Sequence, residues 1–216
     1  MTTTRKPINR FLCLVLCLCM VLGMMPAAVF AADETSNAAA VTVGGTTTEY
    51  ETLGAAIQAV TDCTADDEAV VKLLRRSDLS GNLPIHSGVF TLDLNGFEIT
   101  SNLSSTGALE VWYTGTELTV IDSGEDGAIT GGYSAIDVQY GATVTINGGT
   151  FNGEASSVYT TSENSYVYIN GGTFNKAITS GGITIISGGT IQADLIDLYG
   201  APGGTIQPLL PNTVIP

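Results

Sequence analysis

Two short acidic strands carry most of the chemistry this chain could do. "ALEVWY" at 108–113 and "AIDVQY" at 135–140 share one alternating pattern. In an extended strand every second side chain shares a face. Glu110 and Trp112 share one in the first strand, Asp137 and Gln139 in the second, and Asp197 repeats the pattern in "LIDLYG". Were the two strands neighbours, Glu110 and Asp137 would stand near the ~5 Å carboxyl separation of retaining glycosidases. The same two carboxylates could instead share a calcium ion through oxygen ligands. Trp112 and Gln139 beside them would supply an apolar face and an amide for a sugar ring. The plainer role is solvation, since outward acids keep a sheet face soluble and discourage edge pairing. By the same alternation Leu109, Val111, Ile136 and Val138 point inward, and Tyr113, Tyr140 and Tyr199 fall on the inward side with them.

Other catalytic chemistry lacks its residues. Past Arg76 the only basic side chain is Lys176, and Arg75 and Arg76 precede the repeats. His86, the sole histidine, sits in "LPIHSG" and reads as a loop residue. That scarcity excludes a zinc site, which needs several His or Cys ligands, and a Ser-His-Asp triad in the core. The loop "DSGEDG" at 122–127 is acidic but lacks the spacing of an EF-hand or of calcium-binding nonapeptides, and it reads as a solvated turn.

The elements that must position these strands follow a repeat. "VTINGGTFNG" begins at Val144, "VYINGGTFNK" at Val167 and "ITIISGGTIQ" at Ile183. The polar residue before the glycine falls at Asn95, Asp122 or Ser123, Asn147, Asn170 and Ser187, and the turns return at intervals that shorten along the chain. Asn-Gly is a strong turn signal because both residues accept positive φ. The same strand order returns after each turn, so the chain winds in one direction instead of folding back as hairpins. Each unit supplies three strands, with Phe151, Phe174 and Ile191 stacked inside and coils ~4.8 Å apart. Asn147 and Asn170 would form an amide ladder along the axis or else each serve its own turn. These features predict an all-β chain, a right-handed parallel β-helix (solenoid) of about five or six coils. "YETLGAAIQAV" at 50–60 has helical apolar spacing and is expected to be an N-terminal capping helix over the first coil.

The order Tyr50-x-Thr52-Leu53-x-x-Ala56-Ile57, then a strand, then Leu92-Asp93-Leu94-Asn95-Gly96 resembles the start of secreted bacterial pectate-lyase-like β-helix proteins. The resemblance runs from about Tyr50 to the C-terminus. It implies the fold and says little about activity, since such folds carry many functions. It raises a polysaccharide lyase or glycoside hydrolase. Lyases of that kind use an Arg or Lys base with calcium, and no basic residue stands on the acidic strands. The Asp-Asp, Gly-His-Gly and Arg-x-Lys motifs of the polygalacturonases are absent too.

Met1–Ala31 reads as a signal peptide. Arg5, Lys6 and Arg10 precede the apolar run Phe11–Met25, and Val29-Phe30-Ala31 offers a cleavage site. The rival is an uncleaved anchor, since the run just reaches the ~20 residues of a membrane span. Residues 32–48 read as a flexible N-terminal segment and 49–216 as the β-helix domain. That domain either closes in a crude proline cap or belongs to a longer surface protein. "LPNTV" at 210–214 departs from the sortase signal at Val214.

Cleavage would leave Cys63 as the one thiol, and four basic residues against 21 carboxylates. Such acidity disfavours nucleic acid and, after cleavage, anionic membrane surfaces. No cofactor is implied beyond the calcium noted above. Three functions fit a secreted, bacterial cell-surface chain. One is a non-catalytic adhesion module whose partner is a polysaccharide or host surface protein, through Glu110, Trp112, Asp137 and Gln139. The second is a carbohydrate-active enzyme using Glu110 and Asp137. The third is a structural spacer.

Overall fold

The computed structural model describes residues 37–192, 196–197 and 205–208. Over these the chain is a right-handed parallel β-solenoid of about five turns. Each turn contributes one strand to each of three sheets, which among the described residues have nine, six and six strands.

Alternation builds the core. In sheet 1, Leu92, Val120, Ile146, Ile169 and Ile186 stand in one inward column, buried to 2% exposure or less. In sheet 2 the inward column is Ile99, Ile129, Phe151, Phe174 and Ile191. The Phe151 and Phe174 rings stack at 5.1 Å, 10° from parallel. In sheet 3, Leu109 and Val111 lie under Ile136 and Val138. The Phe151, Phe174 and Ile191 stack and the inward Leu109, Val111, Ile136 and Val138 are as expected from the sequence.

The two glycines of each turn do different work. Gly149, Gly172 and Gly189 hold φ of +92°, +90° and +91°, a region that a side chain disfavours. A methyl group on Gly171 would collide with the Asn147 carbonyl oxygen of the preceding coil, and one on Gly188 with that of Asn170. The paired glycines therefore set both the corner angle and the coil spacing. Gly172→Ala is expected to cost about 1–3 kcal/mol, read by urea unfolding. Gly115→Ala shares the positive φ but meets nothing within 4 Å. It should cost less, and equal losses would remove intercoil contact as the cause.

Side-chain ladders run along the corners. Asn170 Nδ2 donates to Asn147 Oδ1 at 2.9 Å, and Ser187 Oγ donates to Asn170 Oδ1 at 2.6 Å. A second ladder, not expected from the sequence, joins Asn175 Nδ2 to Asn152 Oδ1 at 2.6 Å.

The N-terminal end is covered by more than a helix. The helix is short, Leu53–Gln58, capped by Thr52 Oγ1, which accepts from Ala55 N at 3.1 Å. Leu53, Ala56 and Ile57 are its buried face. Residues 32–48 were expected to be flexible, but Ala39–Val43 and Thr46–Tyr50 form an antiparallel hairpin through Gly44-Gly45. The hairpin then pairs antiparallel with Val70–Leu73, which covers the otherwise open edge of the first coil. The signal-like segment Met1–Ala31, Tyr199 and the sortase-like stretch 210–214 lie outside the described residues.

Candidate ligand-binding face

The outer face of sheet 3 brings the acidic strands together. Gly107–Trp112 and Ser134–Gln139 are parallel neighbours, with Asp137 level with Glu110 and Gln139 level with Trp112. One outward row therefore reads Pro84, Glu110, Asp137, Tyr159, Thr179, with Asp197 next in backbone register. The next row holds Trp112 and Gln139, with His86 following Ile85 at the strand end.

These acids are not the exposed residues that solvation of a sheet face would need. Glu110 is only 4% exposed and Gln139 7%, while Asp137 is half-buried. Glu110 accepts a hydrogen bond from Asn82 Nδ2. Gln139 Nε2 donates to Asp137 Oδ1 at 2.7 Å. Its Oε1 accepts from Thr161 N, Thr161 Oγ1 and Ser162 Oγ at 3.3, 3.0 and 2.8 Å. Gln139 is thus engaged at both ends, and it orients Asp137 rather than offering itself to a ligand. Burial, and then the neighbouring Glu110 charge, push the Asp137 carboxyl up to about 6 against the opposing Gln139 hydrogen bond.

Aromatic rings border the acids. His86 stacks on Trp112 with centroids 5.1 Å apart and planes 10° apart. Tyr113 and Tyr140 stack on each other at 5.6 Å and 22°. The two pairs meet nearly at right angles, Trp112 lying at 83° to Tyr113 and 85° to Tyr140. Tyr113 is 48% exposed and Tyr140 59%. Strand alternation had placed both inward. Their backbones are left-handed, at φ of +77° and +54°, so the alternation ends one residue early and each ring swings out. "WYTG" and "QYGA" held the available signal, a tyrosine just before a glycine-bearing turn. His86 was read as a loop residue, and nothing in its local sequence marks it as a stacking partner.

The remaining candidates serve the scaffold. Asp122, in the acidic loop, accepts from Gly96 N at 2.8 Å and Gly127 N at 2.7 Å, bridging two coils. Among the described residues no group of three or more His, Cys, Asp or Glu is placed to hold a metal ion. Arg76 pairs with Asp78 and Glu98 at 2.7 Å each on sheet 2. Arg75 donates to the Glu51 carbonyl at the cap. Lys176 borders a separate open cleft of about 470 Å³ with Thr130, Asn152 and Glu154 and no aromatic ring.

No family model matches the chain, and no curated protein or solved structure matches it either. The face therefore rests on its own chemistry. It offers two exposed tyrosine rings, a half-buried indole shielded by an imidazole, and two adjacent carboxyls. Flat rings stack on the C–H faces of sugars, and carboxylates accept hydrogen bonds from their hydroxyls.

Proposed function

We propose that this chain is an exported, non-catalytic surface module that binds glycan on the outer face of sheet 3. The single observation that carries the reading is the right-angled aromatic corner of Trp112, Tyr113 and Tyr140 beside the Glu110–Asp137 pair. A soluble monomer has little reason to leave two stacked tyrosines in water, and such patches mark interaction sites. The Arg5-to-Ala31 pattern supports export to a bacterial surface. A solenoid covered at its N-terminal edge suits a module that presents one sheet face to a ligand.

The test is retention on an array of plant, mucin and bacterial glycans, with and without calcium. Trp112→Ala and Tyr140→Ala are each expected to weaken binding by about tenfold or more, the loss of one stacking partner. An unchanged Kd in both variants would remove this face from the reading. Calcium dependence would mean that the carboxyl pair takes a cation together with the sugar.

The carboxyl pair favours a second reading, slow glycoside hydrolysis. Asp137, whose carboxyl is raised to about 6, would act as acid in mildly acidic solution, and Glu110 as its partner. Reducing ends released from a bound oligosaccharide, and lost in Asp137→Asn, would support it; no release over days would end it.

A further inference from the structure

Charge narrows the kind of sugar this corner accepts. Among the described residues, no Lys or Arg stands in the outward register of sheet 3. The ion pairs present, Lys72–Asp93, Arg76–Asp78 and Arg76–Glu98, lie on the other two sheets. Glu110 sits 4% exposed with an amide rather than a cation as its partner. A neutral or acidic ligand laid over this face would bury that carboxylate further without a counter-charge, which is costly. Next to the carboxyls stand ring faces turned at right angles to one another. Aromatic faces attract cations, the more so the drier the contact. The only nitrogen base of the corner is His86, already packed against Trp112 and Tyr113. A ligand with a flat apolar body and one positive charge matches both the ring faces and the carboxyl pair.

We infer that the ligand is an amino sugar carrying a free, protonated amine, as in a de-acetylated hexosamine polymer. This rests on the glycan reading above. The ring of one sugar lies against Tyr113 and Tyr140, and its ammonium meets the Glu110–Asp137 pair at the edge of Trp112. An N-acetyl group removes the charge and adds bulk where the carboxyls stand. The acidity of the whole chain, 21 carboxylates against seven basic residues, draws a polycation toward the face.

Calorimetric titration of the protein at neutral pH and moderate salt tests this with three probes: a β-1,4-glucosamine pentamer, its fully N-acetylated counterpart and oligolysine. The free amine is expected to bind at least about tenfold tighter than the acetylated sugar. Glu110→Gln combined with Asp137→Asn should cut that preference to less than about threefold while weak binding of the acetylated sugar persists. Circular dichroism and the unfolding midpoint verify that this variant is folded. Equal binding, or preference for the acetylated pentamer, would overturn the amine inference and leave the glycan reading standing. Binding of oligolysine but of no sugar would overturn both and point to a basic protein segment. Binding of no probe, with an empty glycan array, would also overturn both.

Discussion

Phe151→Ala lowers the unfolding free energy by about 3–5 kcal/mol, the largest stability effect expected of any single truncation on these coils. Phe151 is fully buried in the middle of the sheet 2 column. It touches coils on both sides, with Ile129 below and Phe174 stacked above at 5.1 Å. Neighbouring coils are held apart at a fixed spacing by backbone hydrogen bonds, so the walls of the resulting cavity cannot close in. A solenoid's stability is close to a sum of coil and nearest-neighbour terms, and this change strikes two interfaces at once. At ~2–4 °C per kcal/mol for a chain of this size, the midpoint should fall by roughly 10 °C. Thr150→Ala, one residue earlier and half-buried on the outer face, should stay within about 0.5 kcal/mol. A Phe151→Ala loss below about 1 kcal/mol in urea unfolding would mean that the column is not the tight stack described.

Asp137→Asn acts in the other direction. It is expected to stabilise the protein at pH 7.5 by about 1–3 kcal/mol. Burial first, and the Glu110 charge beside it, raise the Asp137 carboxyl to about 6. The folded state therefore holds this proton more tightly than the unfolded chain does. The stability so contributed is full below the unfolded value of about 4, and it is lost as pH rises through about 6. Above that, the folded protein carries a half-buried ionised carboxylate next to a second one. Asparagine keeps the shape and the Gln139 contact but never ionises. The gain should thus be large at pH 7.5 and vanish below about pH 4. Glu110, Tyr159 and Gln139 face Asp137 from its own and the adjoining strands, and all are the same in both proteins. Thermal unfolding of the two proteins from pH 4 to 8 measures the difference. No gain at pH 7.5, or an equal gain at pH 4, would contradict the raised carboxyl. A variant that is more stable yet binds amine poorly is what a site holding a costly charge for its ligand should show.

The coil register was legible because it rests on local pattern. The period-2 alternation at Val144–Ile146 and Val167–Ile169 survives in every neighbour, and the Asn-Gly-Gly turns return at matching places. The Asn147–Asn170 ladder was one of two roles the register left open for these amides, and the structure shows it formed. The N-terminal hairpin was legible in principle, since Gly44-Gly45 between β-branched residues is a turn signal. The carboxyl pair and Trp112 were placed on one face by alternation, and that face is where they stand.

What the sequence by itself determined is the winding: three strands per coil, which side chains point inward, and that Glu110 and Asp137 occupy adjacent rungs. Each follows from backbone geometry that repeats within a few residues. The tertiary structure alone decided how deeply those acids are buried, which amides hold them, and that Tyr113 and Tyr140 turn outward into a corner with Trp112 and His86. Those outcomes depend on left-handed backbone at two turns and on side chains far apart in sequence, from Asn82 to Ser162, which only the stacking of coils brings to one place.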